Sequence, residues 1–151
     1  MHKLFLLVII VLGIFGAGAM WQSRHVQDDA VVPTGTSLPA AQHYKDMVVV
    51  TSPLVGSAVS SPLVIEGLAR GNWFFEASFP VSIVNWDGLI IGDGIAQAQG
   101  EWMTTEYVPF KATITFTKPD YKDNGWIILK KDNPSGLPQH DDAFEFPILF
   151  K

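Results

Sequence analysis

Beyond residue 46 the chain repeatedly alternates apolar and polar positions with a period of two. The pattern is cleanest over residues 108–117, where Phe110, Ala112, Ile114 and Phe116 fall on one side and Lys111, Thr113, Thr115 and Thr117 on the other. Successive side chains of a strand point to opposite faces, so this pattern predicts a strand with one buried face and one wet face. The same reading predicts strands over residues 47–51, 63–69, 75–83, 89–98, 126–130 and 144–150. In the third of these, Phe75, Ala77, Phe79, Val81 and Ile83 are expected to share the inner face, with Glu76, Ser78 and Ser82 outside. Turn signals separate the segments: Ser52-Pro53, Ser61-Pro62, Asp87-Gly88, Asn124-Gly125 and the tight loop Asn133-Pro134-Ser135-Gly136. No helical period competes, and the connections are short. The prediction is an all-β domain over residues 47–151, an antiparallel immunoglobulin-like β-sandwich of about seven strands joined in Greek-key order.

The first 46 residues read differently. Residues 4–15 are apolar apart from Gly13, follow Lys3, and lead into Gly16-Ala17-Gly18-Ala19. A basic start, an apolar stretch and a small-residue ending form a secretory signal, with cleavage after Ala19. The competing reading is an uncleaved anchor over residues 1–21. Residues 4–21 as a helix would span about 27 Å, close to the ~30 Å hydrocarbon core. Trp21 would then lie at the far interface and the N-terminus in the cytoplasm. Residues 22–46, rich in Ser, Gln, Asp, Thr, Pro and Gly, read as a flexible linker. The domain is therefore expected outside the cytoplasm, either on a single-pass membrane anchor or secreted.

Composition narrows the chemistry. Ten Lys and Arg stand against 15 Asp and Glu, with no longer basic run than Lys130-Lys131, which argues against nucleic acid. The chain has no cysteine, so disulfides, thiol catalysis and Cys-ligated metals are excluded and the apolar core alone must hold the fold.

Particular strings carry a resemblance. Residues 61–67 (SPLVIEG) lead into residues 71–81 (GNWFFEASFPV), followed by Trp102-Met103-Thr104, Val108-Pro109-Phe110, residues 132–138 (DNPSGLP) and the ending Phe146-Pro147-Ile148-Leu149-Phe150. In this order they resemble the immunoglobulin-like domain of bacterial spore germination proteins, over residues 48–150. Gln139 and His140 stand where an acidic residue is expected after the last of these loops. The resemblance implies an extracytoplasmic sandwich found in bacterial envelope proteins, and it carries over no catalytic residues.

No constellation points to an enzyme. Glu66, Glu76 and Glu101 lie near strands, but nothing pairs two of them across a cleft as glycoside hydrolysis requires. Glu76, between Phe75 and Ala77, reads equally as an acid whose apolar segment holds its proton or as a solvent-face residue paired with Arg70 or Lys111. His2, His25, His43 and His140 lack metal-ligand spacing, so neither metal nor cofactor is expected. The aspartates at positions 120, 123, 132, 141 and 142 read as solvated turn residues, and Gly92-Asp93-Gly94 as a bulge or bend in a strand. The aromatic residues remain. Trp73, Trp86, Trp102 and Trp126 outnumber what one core needs, and exposed rings build contact surfaces. Trp73, Trp102, Asn133 and Ser135 are the candidate ligand- or partner-binding residues, with Trp102 expected to be partly exposed. The function expected is a non-catalytic module that binds a protein or other envelope partner. The alternative is a carbohydrate or peptidoglycan binder working through its aromatic rings.

Overall fold

The computed structural model describes residues 41–151; the signal or anchor segment and most of the linker lie outside the described residues. The described chain forms nine strands: β1 Gln42–Tyr44, β2 Val48–Ser52, β3 Ala58–Val59, β4 Leu63–Arg70, β5 Ser78–Asn85, β6 Ile90–Ala98, β7 Tyr107–Ile114, β8 Asn124–Lys130 and β9 Ala143–Phe150. The only helical pieces among the described residues are single 3-10 turns at Gly71–Trp73 and Pro138–His140. No described helix is long and apolar enough to cross a membrane.

All nine strands belong to one sheet in the order β1-β2-β4-β7-β6-β5-β8-β9-β3. β5, β6 and β7 follow one another as neighbours, and β4 lies beside β7, which is the Greek-key arrangement. Every pairing is antiparallel except that of β3 with β9. The sheet curls into two layers, and the corner lies at β6. That strand pairs with β5 along most of its length but with β7 only through Gln97–Lys111 and Ala98–Phe110. Below this contact Gly92 and Gly94 approach β7 face-on. A Cβ on Gly94 would sit 2.6 Å from Ile114 Cδ1, and one on Gly92 2.8 Å from Phe116 Cβ. The Gly-Asp-Gly string is thus where the strand comes close to the facing layer, next to a register shift at Ile83/Val84.

The inward rows of both layers form one core. Ile65, Phe79, Ile83, Phe110, Ile114, Ile127, Leu129 and Ile148 are almost wholly buried within it. Phe79 of β5 meets Phe110 of β7 edge-on across the layers, with centroids 5.0 Å apart.

Several details differ from the sequence reading: Asn124-Gly125, read as a turn signal, opens β8, and β7 ends at Ile114, short of Thr117. Two strands were unforeseen: β3 is two residues long, too short for any period. β1 lies in the stretch assigned to the linker, because its sequence Gln-His-Tyr carries no alternation; pairing with β2 orders it. The third strand begins at Ser78, not Phe75. Glu76 and Ala77 adopt left-handed conformations (φ 48° and 62°) and turn the chain so that Phe75 N–H donates to Ser78 O. Phe75 is therefore exposed, outside the inner row. Glu76 is exposed too; Arg70 and Lys111 are engaged instead by Asp46, Glu106 and Glu66.

The β1–β2 turn clasps both layers. On one side Tyr44 stacks on Phe144 at 5.2 Å, and its hydroxyl donates to Asp142 at 2.7 Å, where Lys45 Nζ also donates at 3.1 Å. On the other side the Asp46 carboxylate accepts from Arg70 at 2.7 Å and from the Tyr107 hydroxyl at 2.9 Å. These partners set both acidities. Hydrogen bonding to Arg70, then to Tyr107, holds Asp46 below its ordinary value of 3.8. Burial alone would raise Asp142, but the hydrogen bonds from Tyr44 and Lys45 outweigh it and the net shift is down.

Two predictions follow from this packing. Gly67 leaves no room for a side chain, since its Cβ would stand 2.1 Å from Val49 O and 2.9 Å from the Phe110 ring. Urea denaturation should show Gly67→Ala losing about 1–3 kcal/mol, whereas Gly100→Ala, with open space around it, should stay within about 0.5 kcal/mol. In the second, Asp46 and Asp142 bind protons less readily folded than unfolded. Their contribution is complete above about pH 4 and is lost as pH falls through the lowered values. The Asp46→Asn/Asp142→Asn double variant should show a flatter fall in melting temperature below that pH than the parent chain.

Candidate functional site

Each candidate residue read from the sequence lies at the end of the sandwich where β4 and β8 finish. Trp73 is fully buried there. It ends the 3-10 turn, meets Tyr44 edge-on at 6.0 Å, and its carbonyl accepts from Asp132 N–H at 3.1 Å. Its indole N–H finds no protein partner. Trp73 is the core tryptophan of the sandwich, and its ring is not on the surface. Trp102 is half-buried against the core, consistent with partial exposure. It rims an open depression of about 380 Å³ with Phe74 and Met103. Asn133 and Ser135 hold their own loop: Asn133 Nδ2 donates to Leu137 O at 2.9 Å and to Asp141 Oδ1 at 2.8 Å, and the Ser135 hydroxyl lies 2.5 Å from Asn133 Oδ1. The structure bonds Asn133 to Ser135, and joins Trp73 to the start of their loop through its carbonyl and Asp132 N–H.

Among the described residues no three His, Asp or Glu side chains are gathered so as to hold a metal ion. A surface depression of about 460 Å³ lies on the outer face of the β2-β4-β7 layer. A Glu66–Lys111 ion pair at 2.7 Å lies among the residues lining it and cancels its charge.

The other layer carries the more unusual surface. Strand alternation gives β5, β8 and β9 an outward row as well as an inward one. Register places Ile90 beside Val84, Val84 beside Trp126, and Trp126 beside Pro147. An apolar row therefore crosses all four strands β6-β5-β8-β9 on the side away from the core. Ile128 lies in the next row, between Ser82 and Glu145, and Ile95 stands beside Pro80. Leu89, Ile90, Ile95 and Leu149 are 63%, 57%, 56% and 46% exposed. Scattered surface apolar residues need no explanation, but a contiguous patch marks an interaction site.

The row ends at the β5–β6 turn, which is firmly built. Asn85 is buried, and its Oδ1 accepts from the N–H groups of Leu89 at 2.8 Å and Asp87 at 3.3 Å. Gly88 supplies the left-handed conformation the turn needs (φ 84°). This turn presents Trp86, which meets Tyr121 of the β7–β8 loop edge-on at 5.7 Å. Lys122, itself left-handed at φ 60°, lays its ammonium 4.0 Å from the Trp86 ring centroid, a cation–π contact. The two rings are inclined at 79° and one face of Trp86 is taken by the lysine. Together they form a knob, not a flat stacking platform.

Sequence reading counted Trp86 and Trp126 among the surplus tryptophans but did not place them here. The signal that was present is the run Trp126-Ile127-Ile128-Leu129, which is apolar on both faces of one strand.

A family model described as the immunoglobulin-like domain of bacterial spore germination matches residues 47–136. The match runs from the start of β2 into the loop after β8, and leaves β1 and β9 outside. No curated protein and no solved structure matches.

The two sorts of residue should separate in thermal melts. Trp73→Ala should cost about 3–5 kcal/mol by emptying the core. Val55→Lys, at an exposed position in the turn between β2 and β3 and outside the β6-β5-β8-β9 layer, should stay within about 0.5 kcal/mol.

Proposed function

The chain belongs to the family of immunoglobulin-like domains of bacterial spore germination, and from that premise we propose that it is a non-catalytic interaction module. It docks a protein partner on the outer face of the β6-β5-β8-β9 layer. In this reading the N-terminal segment delivers the domain to the outer side of the cytoplasmic membrane, anchored there or released after Ala19. The observation that supports docking is the apolar row Ile90–Val84–Trp126–Pro147, in which Val84 is itself buried, with exposed Leu89, Ile95 and Leu149 around it. Leaving such side chains in water forgoes roughly 25 cal/mol per Å² of burial, which a partner recovers. Aromatic anchors beside aliphatic residues are the composition of protein contact centres.

The glycan-binding alternative has less in its favour. Sugar stacking uses an open aromatic face. Trp86 has one face under Lys122, Trp102 packs half against the core, and Trp73 is buried.

The test is a photo-crosslinking amino acid placed in the full chain at Leu89 or at Thr113 on the outer face of the other layer. A protein adduct is expected from Leu89, absent from Thr113, and lost when Ile90→Lys is added. A chain that is instead retained on insoluble cell wall, released by soluble wall fragments and indifferent to Ile90→Lys would transfer the function to glycan binding.

A further inference from the structure

We propose that the outer face of the β6-β5-β8-β9 layer seats the same face of a second copy of this chain, as a two-fold homodimer. The inference rests on the reading of that face as a protein docking surface, and it names the occupant.

Size is the first argument. Trp86, Leu89, Ile90, Ile95, Tyr121 and Leu149 are between 37% and 66% exposed. At about 200 Å² for each large side chain they leave on the order of 600 Å² in water. That is the upper end of the largest patch found on a typical monomer, roughly 300–600 Å². The half-buried Trp126 and Ile128 and exposed Pro147 lie between them. With these the face approaches the ~800 Å² per partner of a stable interface.

Charge is the second. The chain carries a net charge of -5, so two copies repel overall. This face holds little of that excess. Asp93 and Glu145 lie in its central row, which register sets as Asp93–Ser82–Ile128–Glu145. Lys130 lies at one end and Lys122 at the other. With exposed Asp87 in the β5–β6 turn, three acids stand against two lysines, so the face carries one of the five net negative charges. Asp93, Glu145 and Lys130 enter no ion pair among the described residues, and Lys122 is held against the Trp86 ring.

Shape is the third. An isologous contact requires a self-complementary patch. Two antiparallel sheets of equal twist stack face to face at about -30° and about 10 Å apart, with side chains interdigitated. Two copies of one sheet face have equal twist and so share the stacking geometry. A partner of another fold has to be shaped to it.

The absence of native cysteine makes a direct test possible in the full chain. Single-cysteine variants Ser82→Cys, in the central row, and Thr113→Cys, on the other layer, are treated with a short bis-maleimide that spans stacked sheets. Linked dimers should form at least about tenfold faster from Ser82→Cys, because an interface holds the second thiol at millimolar effective concentration. Adding Ile90→Lys should return the rate to that of Thr113→Cys while an unchanged circular dichroism spectrum shows the domain folded. Equal, slow linkage of both variants overturns the second copy as occupant. In that event a Leu89 adduct to a different protein keeps the docking face, and the absence of any Leu89 adduct removes the docking face as well.

Discussion

A sheet with one apolar face has to fold over onto itself, and in this domain the fold is made at β6. That strand pairs fully with β5 but touches β7 through two residue pairs. Past them it swings across, and the inward rows of the two layers close on each other through Phe79 and Phe110. Glycine at positions 92 and 94 lets the backbone lie against Ile114 and Phe116. Without that approach the nine strands would be an open sheet with a dry face in water. With it, roughly 1.5–3 kcal/mol for each large side chain is gained by burial. Since no disulfide is possible in this chain, that burial is what holds the fold.

The ends of the sandwich are built by different means. At one end, polar groups clasp the chain as it enters: the β1–β2 turn reaches both layers through Asp46 and through Tyr44, Lys45 and Asp142. Exposed ion pairs of this kind are individually weak. Their placement matters more than their energy, since they tie the first strand to both layers. At the other end a buried asparagine organises a turn that displays tryptophan, leucine and isoleucine to water. An apolar surface held rigid costs no ordering when it is covered, which is the property an interaction face needs.

The family relation and the apolar surface are independent observations. The family match covers β2 through the loop after β8, and so contributes three of the four strands of the apolar face, β5, β6 and β8. The fourth, β9, adds Pro147 and Leu149 to its rim. A family defined by an immunoglobulin-like framework says nothing of where its members bind. The face is found only by asking which outward rows remain apolar.

Much of the architecture was legible in the alternation alone. Phe110, Ala112, Ile114 and Phe116 face inward as their period requires, and so do Phe144, Phe146, Ile148 and Phe150. Turn residues marked the hairpin at Asp87-Gly88, and family-specific strings named the framework. The binding residues were less legible. Trp73 and Trp102 stand in similar sequence surroundings, yet one is the centre of the core and the other half-exposed. Asn133 and Ser135 looked available and proved to bond each other. A strand's sequence states which residues share a face, because side chains alternate whatever the strand pairs with. Which side chains become neighbours on that face is set by register and strand order. Ile90, Val84, Trp126 and Pro147 come from four separate segments, and only the pairing of β6, β5, β8 and β9 puts them in one row.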